Sequence, residues 1–133
     1  MTGERNLAKL LASMAPALHA QPYGFAHCAN LPAITPFATV AEDEGLTVVA
    51  PLADLQAAGL KAEPFARISL SVHSALEAVG LTAAMSGALA QAGVSANVIA
   101  GYFHDHVFVA WNDRNRAMQI LEKLSRDEQA KEG

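Results

Sequence analysis

The sequence predicts an α+β fold made of two similar halves, each a small sheet with helices packed on it. Three observations predict it. Segments of period two alternate with segments of helical period along the chain. The order of those segments is nearly the same in the two halves. Charge is also withdrawn from the middle of the chain: Ala66 to Trp111 holds only Arg67, Glu77 and Asp105, whereas Asn112 to Gly133 holds ten charged residues. The middle is therefore the buried heart, and the end is a solvated helix whose last residues, 127–133, are expected as a mobile tail.

The elements follow in order. Leu7, Leu10, Leu11, Met14 and Leu18 form one stripe of an amphipathic helix, which Thr2 can cap and Pro16 and Pro22 end. Tyr23 to Ala29 reads as a strand, and the prolines of Asn30 to Pro36 make a loop. Phe37 to Glu42 and Leu46 to Ala50 read as a hairpin around the acidic turn Asp43-Glu44-Gly45. Ala53 to Ala58 is a short helix before Gly59. Ile68, Leu70 and Val72 alternate with Arg67, Ser69, Ser71 and His73, the pattern of a half-buried strand. After the loop His73 to Gly80, the residues Leu81, Ala84, Met85, Ala88, Leu89 and Ala92 line one helix face. Ser95 to Tyr102 and His104 to Trp111 form a second hairpin. Asn112 or Asp113 caps a final helix with Ala117, Ile120, Leu121 and Leu124 inward. Each half is thus close to the β-α-β-β-α-β unit of ferredoxin-like sandwiches, packed side by side in one chain. The first half (1–65) lacks a helix between its first two strands. The second half (66–126) lacks a closing strand, and the strand at 67–72 is placed to serve both.

Composition narrows function by exclusion. The chain is 52% hydrophobic and 17% charged, well under the roughly 25% charge of an average soluble domain, so it can build a core. A net charge of -4 and a pI near 5.6 argue against nucleic-acid binding. The lone cysteine, Cys28, makes neither an internal disulfide nor a zinc cluster. Glu4, Arg5 and Lys9 interrupt any signal peptide, and no apolar run reaches the roughly 18 residues that span a bilayer. A cytoplasmic protein that touches no membrane is expected. A stretch of 46 residues with three charges implies more burial than a small monomer supplies, and a homodimer meets that need.

Chemistry concentrates in two places. The loop from His73 to Gly80 leads into a helix whose first N–H groups favour an anion. Gly80 admits a carboxylate close to the backbone, Ser74 offers a hydroxyl, and Glu77 is a carboxylate that an α-ammonium group can meet. Together they suit an amino acid. The structural alternative is that every β-α connection needs a cap and Glu77 neutralises the helix dipole. His104-Asp105-His106 is the second place. In a strand the two histidines share one face and Asp105 the other, so a metal there needs further ligands from His73, Cys28 or His27. A metal-dependent enzyme using His104 and His106 is therefore an alternative, while Asp105 is a candidate ligand contact. No nucleophile-base pair, Gly-x-Ser-x-Gly motif or phosphate loop is present. No catalytic residue, cofactor or metal site is expected.

The stretch "ALAQAGVSANVIAGYFHDHVFVAWNDRNRAMQIL" resembles the paired ACT domains of aspartokinases. The helix end is Ala92-Gly93, Ala96-Asn97 stands at the Ile-Asn strand start, Val107 to Val109 is the next strand, and Arg114 to Leu124 is the closing helix. "LSVHSALEAVGLTAAMSGALAQAG" and "GYFHDHVFV" resemble small stand-alone prokaryotic ACT-like proteins of unassigned activity, and the CASTOR arginine sensors resemble the same group. "LLASMAP", "PFATVAEDEGLTVVAP" and "ADLQAAGL" extend the resemblance over most of the chain, from about Leu7 to Ser125. The resemblance implies a non-catalytic regulatory module that binds a small molecule, an amino acid above all, at a domain or subunit interface. It implies contacts from Ser74, Glu77, Val79, Gly80 and Leu81, with Asn97 lining the same cleft. Any signal then passes to a separate partner protein or to oligomeric state. The alternative is a ligand-free dimerisation or protein-interaction module.

Overall fold

The computed structural model describes residues 6–72 and 79–132. The fold is α+β, as the element pattern predicts, and the chain divides into two compact units: residues 20–66, and residues 1–19 together with 67–133.

Unit 20–66 is the simpler one. Strand β2 (Tyr23–Cys28) pairs antiparallel with β4 (Gly45–Pro51), and β4 pairs with β3 (Ala38–Glu42). Tyr23 also pairs with Phe65, the first residue of β5 (Phe65–Leu70). The short helix α2 (Leu52–Ala57) packs on β2 and β4. Its Leu55 is fully buried with Ala26, Val48 and Ala50. Gly24 makes this packing close: a Cβ there would stand 2.7 Å from the Ala62 Cβ and 2.9 Å from a Leu55 methyl. Between β2 and β3 the proline-bearing loop replaces a helix, as the sequence indicates, and its Ile34 packs onto the core.

The other unit is built on the strand order β1-β5-β7-β6, with β1 as Pro16–Leu18, β6 as Asn97–Ala100 and β7 as Asp105–Ala110. Its missing closing strand comes from the chain start. Pro16, Ala17 and Leu18 pair antiparallel with Leu70, Ser69 and Ile68. Residues 1–19 thus join the second half because that sheet needs them. Helix α1 (Leu7–Ala12) is shorter than its apolar stripe suggests. Asn6 caps it, accepting from the Lys9 N–H at 3.1 Å. After Met14 the chain turns through Ala15 at φ 43°, and the proline that follows disfavours helix, so Leu18 falls in a strand. Helices α3 (Leu81–Gln91) and α4 (Arg114–Glu132) pack on each other and on α1. Leu10, Met14, Ile68, Leu70, Met85, Leu89, Val107, Phe108 and Leu121 are completely buried. A 3-10 turn (Trp111–Asp113) precedes α4, and the Arg114 guanidinium lies 4.0 Å over the Trp111 ring. The segment 127–132 continues α4, where Gln129 donates to the Ala12 carbonyl at 2.7 Å.

Candidate functional site

The residues that the sequence singles out fall in unit 1–19/67–133. Strand β5 alternates buried Ala66, Ile68 and Leu70 with half-buried Arg67 and Ser69. The chain then leaves β5 and returns as α3. Gly80 is the N-cap of α3, in the left-handed region at φ 100°. That conformation explains the glycine, since a side chain there is strained. It also meets Leu7 of α1, whose Cδ2 would lie 3.0 Å from an added Cβ. Ala84 is the first residue whose N–H reaches back to the helix start, at 2.9 Å from the Gly80 carbonyl. The N–H groups of Leu81, Thr82 and Ala83 therefore have no intrahelical acceptor, and a glycine cap supplies no side-chain oxygen.

The remaining predicted residues divide into three sets. Ser74 and Glu77 lie outside the described residues. Val79 is 83% exposed, and Leu81 is buried, so only its backbone faces the helix start. Asp105, also buried, opens β7 opposite Ala100, next to a tight turn closed by Gly101 N–H donating to the His104 carbonyl at 2.8 Å. Ser69 near the end of β5 touches His106 near the start of β7, which puts that turn at the end of the sheet from which the chain leaves for α3. Asn97 is exposed and opposite Phe108, at the start of β6. The 11 residues of α3 separate it from Gly80, a run of roughly 16 Å at 1.5 Å per residue. Within one chain, Asn97 and Gly80 are not neighbours.

A polar constellation that sequence reading missed lies at the same end. His19 Nε2 is 3.0 Å from Ser69 Oγ, and Ser69 Oγ is 2.8 Å from His106 Nδ1. The hydroxyl donates to one ring and accepts from the N–H of the other. Burial pushes the His106 imidazole down to about 4, helped by Arg67, His104 and His19. Burial and then Arg67 also lower His19. Both rings are therefore neutral at pH 7. The Ser69/Arg67 alternation was visible in sequence, but His19 stands fifty residues away and reads as a surface residue. Only the pairing of β1 brings it in. Among the described residues no three His, Cys, Asp or Glu side chains gather to hold a metal, and one nitrogen of His106 is already engaged by Ser69. Among those residues, too, no helix is long and apolar enough to cross a membrane.

Comparison with known proteins gives the site its context. Residues 2–67 match an ACT domain, and residues 65–123 match a second. No curated protein matches the sequence. A protein of unknown function from Vibrio cholerae, described as a possible transport protein, is 45% identical, with a TM-score of 0.80 over 90% of this chain and 95% of that one. A protein from Agrobacterium tumefaciens is 19% identical, with a TM-score of 0.67 over 79% and 84%. The regulatory subunit of aspartate kinase from Thermus flavus is 12% identical, with a TM-score of 0.59 over 85% and 98%. The last two share the fold.

Proposed function

The chain belongs to the ACT-domain family, and from that premise we propose that it is an amino-acid sensor whose ligand sits at the start of α3. ACT domains are regulatory, non-catalytic modules that generally bind small ligands. The observation that carries the reading is Gly80: a left-handed N-cap before three helix-start N–H groups. These amides and the helix dipole suit the ligand carboxylate. Glu77 takes the ammonium group, Ser74 adds a hydroxyl, and Val79 and Leu81 contribute backbone. Asp105 lines the turn at the same end. Asn97 belongs to this site only if it comes from a second copy, so the reading includes a homodimer with the ligand at the subunit interface. Ligand then shifts the dimer by its differential affinity for two states, and a separate protein reads the result.

A thermal-shift screen against the twenty amino acids tests this. A ligand at 100 times its dissociation constant stabilises by about 2.7 kcal/mol, a rise of several degrees for a domain of this size. Glu77→Ala and Asn97→Ala are expected to abolish the rise while leaving the ligand-free midpoint nearly unchanged. No rise with any amino acid at millimolar concentration overturns the reading.

One observation favours a second reading, a ligand-free interaction module. Tyr102 and Phe103 form an edge-to-face pair at the hairpin tip, 65% and 56% exposed, with ring centroids 5.0 Å apart. Concentration-dependent mass without any metabolite response supports that module instead.

A further inference from the structure

We propose that His19, Ser69 and His106 form a proton-operated latch that fastens the chain-start strand β1 to its sheet. Strand β1 has three residues and lies at the edge of the order β1-β5-β7-β6. It is contributed from fifty residues away, so little local structure holds it. The latch reinforces it where it ends. The His19 N–H donates to the Arg67 carbonyl at 2.9 Å, and its ring reaches Ser69 at 3.0 Å. Ser69 in turn ties to His106 on the next strand at 2.8 Å. Three side chains from β5, β7 and the residue after β1 are joined through one hydroxyl.

The bridge fits two neutral rings and one hydroxyl. One imidazole accepts from Ser69 Oγ–H and the other donates to its oxygen. A proton added to the accepting nitrogen makes it a second donor. Ser69 must then turn its hydrogen away, and the new imidazolium cation must be held beside the second ring. Among the described residues, the charges that act on these rings worsen this. Arg67 faces both rings from β5, and His104 from the turn and His19 both act against a charge on His106. Asp105 alternates to the opposite face of β7. The direction of both histidine shifts, toward the neutral form, agrees with a latch closed near neutrality and opened by acid. No metabolite is involved, so the inference stands apart from the sensor reading.

Hydrogen exchange of the whole protein tests it. The readout is the ratio of the observed exchange rate of the His19 amide to its intrinsic rate. Between about pH 7.5 and about pH 5 this ratio is expected to rise roughly tenfold, because the opened state takes up protons that the closed latch refuses. In His106→Gln the rise should shrink to about twofold or less, whatever its starting value. A wild-type ratio that does not change with pH overturns the latch, and so does a full response in His106→Gln. If that variant fails to fold, an NMR titration of the wild type decides. A His106 ring that titrates in the ordinary histidine range in the folded protein overturns it.

Discussion

Ser69 shows how much one hydroxyl can connect. It lies on the half-buried face of β5 and touches a ring on either side, so its loss removes one hydrogen bond from each of two imidazoles at once. Ser69→Ala is expected to lower stability at neutral pH by about 1–3 kcal/mol, measured by urea unfolding. The sign of the pH effect follows from the same rings. The folded pKa of His106 is about 4 against an ordinary value of 6.5. Between those values the unfolded chain binds more protons than the folded one. The contribution to stability is therefore complete above 6.5 and is lost as pH falls toward 4. The wild-type melting midpoint should drop over that interval more than that of His106→Gln, as calorimetry across the range would read. Gly24 is a residue of another kind, required by contact alone. Its added Cβ would meet Ala62 and Leu55 at under 3 Å. Gly24→Ala is expected to cost about 1–3 kcal/mol of overpacking, seen as a lower denaturant midpoint at constant slope.

At the scale of elements, β1 was the one hidden from sequence reading. Three residues are too few to show a period, and Pro16 reads as a helix end. What makes them a strand is the open edge of Ile68–Leu70, a tertiary fact. The strand at 67–72 was legible because four or more alternations survive there; the observed strand, β5, pairs through Phe65 with Tyr23 and through Ile68–Leu70 with β1. The helix at Leu81 was legible from its apolar stripe and the glycine before it. The site divides in the same way. Gly80 announces itself locally, while the His19–Ser69 contact depends on a register between segments fifty residues apart. Removal of residues 1–19 tests the importance of the borrowed strand. It takes away β1 and the buried Leu10, Leu11 and Met14. The shortened chain is expected to lose the cooperative melting of its 67–133 region. Retained protection of the Val107 and Val109 amides would show the opposite.

Across the whole molecule, the alternation of element types and the withdrawal of charge between 66 and 111 made the fold class readable in the sequence. What they did not reveal is that one unit is interrupted by the other. Residues 20–66 form a sequence-continuous unit, whereas its companion needs both the beginning and the end of the chain. This division has a consequence in time. During synthesis at about 5–20 residues per second, residues 20–66 can begin folding as they leave the ribosome. The first nineteen residues cannot: Ser125, whose hydroxyl donates to the Ala12 carbonyl, lies 113 positions further on. They wait on the order of ten seconds with Leu10, Leu11 and Met14 uncovered, an interval in which a chaperone would find the chain's own start before its partner strand does.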